Sequence, residues 1–307
     1  MAEQTISVTI PNLHSPLIDQ VIAALARQTA RQLICEVIVV GQDRYGRVPP
    51  SVRLVATEQP LSAGAARNLG AKLACGDILL FLDADCIAAP DLVERLAAQH
   101  AQGRAVVGGS MAIEPRNYWV LCDNLLSFTP FLSQAPAGPR PYLPSFNFSI
   151  ARALFERVGG FDERFLGAAG EDMDLSLRLI AYGHSLHFEP AASVTHHPAR
   201  VSARAMSQHL RMFGRAYYKV QRRHASLTRS SLASLKPELA GAIIAVLPLL
   251  ACKDVLLLYW QGREMRRYPH AFVGMLWGRM GWYLGVVEAL LVSSGRAPVG
   301  RYKEIIT

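Results

Sequence analysis

Two groups of acidic residues have the types and spacing to do chemistry. Asp83 and Asp85 close the apolar run ILLFL, with only the small Ala84 between them. Two carboxylates one residue apart can hold a hard divalent cation shared with a substrate phosphate. They can equally shape a turn and cap a following helix. The second group, Glu171, Asp172 and Asp174, follows Gly170 in GEDMDLSLRL. A helix dipole favours negative charge at its start, which accounts for one of these acids more easily than for three.

The elements that must position these acids follow from hydrophobic periodicity. ISVTI (6–10) is a short β-rich run, and beyond Pro11 the residues Ile18, Val21, Ile22 and Leu25 recur at helical spacing. CEVIVV (35–40) reads as a strand buried on both faces, followed by a strand VRLVA (52–56), a small-residue helix SAGAARNLGAKLA (62–74) and the strand ILLFL (78–82). Pro90 fits the first turn of a helix running to about His100. This alternation predicts right-handed βαβ units on a mostly parallel sheet. Ligands of such sheets bind at the carboxyl ends of the strands, where Asp83 and Asp85 fall. After a loop rich in proline, Gly159 and Gly160 stop one helix. Leu175, Leu179 and Tyr182 then predict an amphipathic helix ending at Gly183, with Glu171 and Asp172 at its N-terminus.

Composition divides the chain. At 307 residues it can form one large domain, or one domain with a helical appendage, and 51% of its residues are apolar. Residues 1–199 carry 15 Lys and Arg against 19 Asp and Glu, whereas residues 200–307 carry 17 against 5. So basic a C-terminal third suits an anionic membrane surface or a phosphate-bearing ligand. No recognised nucleic-acid module accompanies it, so nucleic acid is not an expected partner. The five cysteines are scattered, odd in number and never spaced CxxC, which predicts a reducing compartment and no zinc site. MAEQTISVTIPN has no charged leader with a long apolar core, so the catalytic part is expected to face the cytoplasm.

In order and spacing, VTIPN, ARQT, EVIVV, GAARNLGAKLACGDILLFLDADC, FNFSIARALFERVGGFDERF, GEDMDLSLRL and VTHH resemble the family 2 glycosyltransferases over roughly residues 5–200. The resemblance implies an α/β GT-A fold with a Rossmann-like mixed sheet, a nucleotide-sugar donor, inversion at the sugar carbon and a divalent cation, Mg²⁺ or Mn²⁺. It makes Asp85 the metal-binding aspartate and Asp83 its partner on the metal or the donor ribose. Asp172 becomes the general base, Glu171 orients the acceptor, and Arg67 lies near the nucleotide. His196 falls where some relatives place a histidine near the metal or diphosphate, with His197 an adjacent alternative. Pro11 of VTIPN joins the substrate-binding set. The loop after the second strand, usually acidic in the family, reads GQDRYG and leaves only Asp43 to hold base and ribose. His14 stands where relatives often have Asn. A UDP- or GDP-sugar is the default donor.

Residues 201–307 are expected to form a basic and hydrophobic helical region beside a membrane. SARAMSQHLRMFGRAYYKVQRRH (202–224) places Arg211, Arg215 and Lys219 on one helix face, able to meet an acceptor phosphate or anionic headgroups. The apolar run from Leu239 stops at Lys253 and Asp254, short of the roughly 20 residues of a spanning helix. The stretch 271–292 is broken by Arg279 and Glu288 and carries Trp277, Trp282 and Tyr283, as suits helices in or near a bilayer surface. The function these features predict is inverting transfer to a lipid-linked or cell-surface polysaccharide acceptor, on the cytoplasmic face of the inner or plasma membrane. Two alternatives use the same features: a silent, membrane-bound assembly partner, and a nucleotidyltransferase, although IPNLHSPLI is not the phosphate loop the latter needs.

Overall fold

A computed structural model of the chain describes residues 4–165, 169–228, 230–262 and 264–292. These fall into two compact units, residues 1–116 with 128–199, and residues 117–127 with those from Arg200 onward. The segment 117–127 thus departs from a simple boundary at residue 200.

The first unit is built on one mixed sheet. Its strands are β1 (Ile6–Leu13), β2 (Ile34–Gln42), β3 (Arg53–Ala56), β4 (Ile78–Leu82), β5 (Cys86–Ala88), β6 (Val106–Ala112), β7 (Gly138–Pro139), β8 (Asn147–Ala151) and β9 (His187–His196). They run in the order β3-β2-β1-β4-β8-β6-β9-β5, with β7 on β9. The first four are mutually parallel, as the alternating pattern predicts. The far half is not, because β8 enters antiparallel to both β4 and β6 and only the β6–β9 pair is parallel. The expected mostly parallel sheet is therefore parallel over one half only.

Helices α1 (Ile18–Ala26), α2 (Ala63–Leu73), α3 (Leu92–Ala101), α5 (Arg152–Arg157) and α6 (Glu171–Ala181) belong to this unit, while α4 (Tyr118–Phe128) falls almost wholly in the second. All five side chains of β4 are buried, as are Ile18, Val21, Ile22 and Leu25 of α1. Phe81 meets Phe155 and Phe161 at ring-centre distances of 5.2 Å each, anchoring the core between β4 and the helices. The small residues of α2 have a purpose: a Cβ on Gly70 would run into Thr9 of β1, so the helix lies directly on the strand. Two element boundaries differ from expectation. β1 continues through Pro11, which faces Val40 of β2 after β4 pairing has ended at Thr9, so its missing N–H is tolerated as on an edge. Pro90 precedes α3 rather than opening it, its carbonyl accepting from Thr29 N–H at 2.9 Å.

The second unit contains α7 (Ala203–Arg223), α8 (Ala225–Thr228), α9 (Ala240–Gln261) and α10 (Phe272–Val292). Cβ atoms on Gly214 of α7 and Gly285 of α10 would strike the backbone of Trp282 and of Arg211, so these two helices touch at the main chain. α9 runs through Lys253 and Asp254, the charges that interrupt its apolar run. Asp254 is neutralised by Arg279 at 2.9 Å and accepts from Tyr283 at 2.7 Å, both on α10. Residues 237–261 form a helical stretch long and apolar enough to cross a membrane, its most apolar 18-residue window having a mean hydropathy of 2.2. α10, in contrast, buries Met275, Val286, Val287 and Leu290 within its own unit.

Candidate active site

β4 delivers Asp83 and Asp85 to the carboxyl edge of the sheet, and the backbone around them is clamped from several sides. Asp83 N–H donates to Phe146 at 3.2 Å, Ser15 Oγ donates to the Ala84 carbonyl at 2.6 Å, and His197 N–H donates to the Asp85 carbonyl at 2.9 Å. Cys86 then pairs with His196 across β5 and β9. This register sets His196 Nε2 3.6 Å from Asp85 Oδ2, while His197 turns to Glu114 at 3.4 Å. The two adjacent histidines, equivalent in the sequence, are thereby distinguished. Cys86 completes a cluster with Asp85 and His196 whose ligand atoms lie within 4.8 Å of one another, but burial and the nearby aspartates push its thiol well up. Neither the Ser15 clamp nor the Phe146 contact carries a sequence signal.

The second carboxylate group opens α6. Gly170, with φ +93°, turns the chain into the helix without a side-chain cap, and Glu171 is its first residue. Arg67 of α2 joins the two groups: its guanidinium meets Asp83 Oδ1 at 2.6 Å and Glu171 Oε1 at 2.9 Å, and Arg67 is itself only 2% exposed. Gly64 on the same helix packs close to Phe161, with the Glu171 side chain at ordinary contact distance. Glu171 Oε2 and Arg67 Nε are buried with no hydrogen-bond partner, an energetic cost that a bound ligand group can repay. Burial, reinforced by the neighbouring Asp172, pushes the Glu171 carboxyl up to about 7 despite the Arg67 charge. Burial also raises the Asp172 carboxyl, although Met173 N–H donates to it at 2.7 Å and Ser145 N–H at 3.4 Å. The third acid separates from these two. Asp174 is fully buried and pairs with Arg178 at 2.8 Å, and Arg178 also donates to the Val158 and Gly160 carbonyls, so this acid holds α6 to the glycine turn.

Of the other sequence candidates, Pro11 lies at the carboxyl end of β1. Asp43 follows β2 and accepts from Val48 N–H at 2.7 Å with one oxygen, closing its own loop, while the other oxygen is buried and unpartnered. His14 sits nearby at φ +57°, a left-handed conformation that Asn adopts more readily, and its Nδ1 accepts from Arg44 N–H at 3.2 Å. Arg211 and Arg215 belong to the other unit, where both pair with Glu288 of α10. Both side chains remain exposed, at 45% and 42%, while sharing the one Glu288 carboxylate. That unit also buries a group the sequence reading missed. Asp123 meets Arg200 and His209 at 2.9 Å each, and although burial opposes its ionisation these partners hold its carboxyl below the usual value. A lone Asp in the amphipathic run YWVLCDNLLSF gives no hint of partners 77 and 86 residues away.

Residues 7–159 match the model of Glycosyl transferase family 2, and residues 133–228 match that of Glycosyltransferase like family 2. The chain belongs to glycosyltransferase family 2. Among curated relatives it is 31% identical to validoxylamine A glucosyltransferase of Streptomyces hygroscopicus subsp. jinggangensis, over 58% of this chain and 52% of that protein. It is 25% identical to glycosyltransferase AglE of Haloferax volcanii, over 67% of this chain and 71% of the relative. The chain spans about half the length of the validoxylamine A glucosyltransferases it matches. Among solved structures, the mannosyltransferase PcManGT of Pyrobaculum calidifontis, in complex with GDP-Man and Mn²⁺, has the same fold. It aligns over 95% of this chain and 88% of its own with a TM-score of 0.62 at 17% identity. GalNAc-T7 with UDP, GalNAc and Mn²⁺ aligns over 75% of this chain and 52% of its own with a TM-score of 0.55 at 16% identity.

Proposed function

We propose that the chain is an inverting glycosyltransferase that moves a sugar from a UDP- or GDP-sugar to a hydroxyl of a lipid-linked or cell-surface glycan acceptor. The observation that carries this reading is the Arg67 bridge, which puts Asp83 and Asp85 in one site with Glu171 and Asp172. The oxygen of Asp85 and the imidazole nitrogen of His196, 3.6 Å apart and on a fixed ladder register, offer an oxygen and a nitrogen donor to a divalent cation, and we take Mn²⁺ or Mg²⁺ as that ion. A cation held there would supply Lewis-acid stabilisation of the departing diphosphate. In this reading Asp83, partly exposed and bonded to Arg67, meets the donor ribose. Asp172, its proton affinity raised by burial, takes the proton of the incoming hydroxyl, and Glu171 orients that acceptor. A single displacement inverts the sugar carbon and needs no nucleophilic Ser or Cys.

The second unit supports a place at an anionic, cytoplasmic membrane face. It concentrates the basic excess, and α9 exposes Leu249 at 71% and Trp260 at 73%, an apolar surface that lipid would cover. The test is release of nucleoside diphosphate from a panel of UDP-, GDP- and TDP-sugars with Mn²⁺ or Mg²⁺, using detergent-purified protein and crude membrane lipid as acceptor. Release from one donor, dependent on metal and lost in Asp85→Ala, is the expected result. Absence of donor binding and of release across the panel would sink the reading and favour a silent assembly partner.

A further inference from the structure

The cysteines look scattered in the sequence, but the fold gathers two of them. Cys35 begins the interior of β2 and Cys75 lies in the turn between α2 and β4, with their sulfurs 4.0 Å apart. A local irregularity makes the meeting possible. Ile6 pairs with Ile34 and Ser7 with Glu36, so Cys35 is an extra residue in β2, a bulge opposite β1. In a regular strand Cys35 and Glu36 would point to opposite faces. The bulge re-aims one of them, and the carboxylate of Glu36 joins both sulfurs in a cluster whose ligand atoms lie within 4.8 Å of one another. Glu36 is held in place by Ser7 Oγ at 2.6 Å and Cys75 N–H at 2.7 Å, and both thiols are at the surface, open to a solvated ion. This cluster lies at the amino ends of β2 and β4, the edge of the sheet opposite Asp83 and Asp85.

We propose that Cys35, Glu36 and Cys75 form a structural binding site for a thiophilic divalent cation of the zinc class. The sulfur separation fits this better than a disulfide: zinc–sulfur bonds of about 2.3 Å at a tetrahedral ion place two sulfurs about 3.8 Å apart, whereas a disulfide needs about 2.05 Å. Two thiolates and one carboxylate supply three ligands, and solvent supplies the fourth. The bound ion ties the start of β2 to the turn that feeds β4, and so acts on stability rather than on sugar transfer.

The test is Co²⁺ titration of the full-length protein kept reduced by a phosphine, followed by displacement with Zn²⁺. One equivalent of Co²⁺ should develop thiolate charge-transfer absorption, and this should be lost in Cys35→Ser and Cys75→Ser and weakened in Glu36→Gln. It should persist in Asp85→Ala, which disables the cluster containing Cys86. Zn²⁺ should raise the melting temperature of the parent protein but not of Cys75→Ser, with circular dichroism confirming that each variant folds. Absorption that survives Cys35→Ser and vanishes in Asp85→Ala overturns the proposal, as does absence of thiolate absorption in the folded parent. Oxidation of the pair to a disulfide, with no cobalt absorption after re-reduction, overturns it too.

Discussion

The two carboxylate groups of the site differ in how the protein surrounds them. Asp83 and Asp85 leave the sheet with side chains 30% and 29% exposed, held mainly through backbone contacts of their loop, whereas the Glu171 side chain is 3% exposed. At the β4 edge the protein fixes position and leaves the carboxylates open to a ligand. At the α6 start it also sets proton affinity, because burial and two adjacent acids work against ionisation. Arg67 bonds to an acid of each group, so each group's geometry depends on the other.

Replacing the second acid of α6, Asp172, is the sharpest way to separate the two groups. Asp172→Asn should lower turnover by roughly 10²- to 10⁴-fold, the usual contribution of a general base, while calorimetry shows donor binding unchanged. Equal loss of donor affinity would mean that the two groups do not divide donor and acceptor work. Arg67→Met leaves Glu171 buried without its cation, and breaking such a pair costs about 3–5 kcal/mol, measurable by urea unfolding. Asp174→Asn should cost less, about 2 kcal/mol, because Arg178 keeps its two carbonyl acceptors. Its turnover should stay at the parent level, which sets the third acid of the cluster apart from the first two.

Stability should also depend on pH in a direction that marks the α6 group. The Glu171 carboxyl moves from an ordinary 4.5 to about 7 in the folded protein. Between those values the folded state holds a proton that the unfolded state has released, so unfolding free energy falls as pH rises, by up to about 1.4 kcal/mol per unit. Glu171→Gln should flatten this slope in urea titrations run across the window. A slope that persists in the variant would place the raised proton affinity elsewhere.

Much of the first unit was legible because its signals are local. The buried run 78–82, the four apolar positions of α1 and the helix start at Glu171 all follow from period and composition, and the structure places them accordingly. The antiparallel entry of β8 was hidden, since a strand's period does not reveal which neighbour it will choose. In the site, the acids themselves stood out by spacing, but the Arg67 bridge to Glu171 spans 104 residues and needed the fold. The charges in the apolar C-terminal stretches misled for the same reason. Lys253 and Asp254 interrupt one apolar run, and Arg279 and Glu288 break a second. Three of these four instead find partners across a helix pair: Asp254 meets Arg279, and Glu288 meets Arg215.

The smallest expected effect comes from the helices that carry the bridge. α2, which bears Arg67, begins at Ser62, whose Oγ accepts from Ala65 N–H at 3.3 Å, whereas α6 begins at Gly170 with no side-chain cap and its acids at the open end. Ser62→Ala removes one capping bond and should cost about 1 kcal/mol, read as a lower urea midpoint with an unchanged slope. Arg67 lies five residues into the helix and is fixed by Asp83 and Glu171, so fraying at Ser62 should not move it. Donor KM and turnover at 25 °C should therefore match the parent. A rise in KM would mean that α2 itself, rather than the two carboxylates, sets the position of the guanidinium.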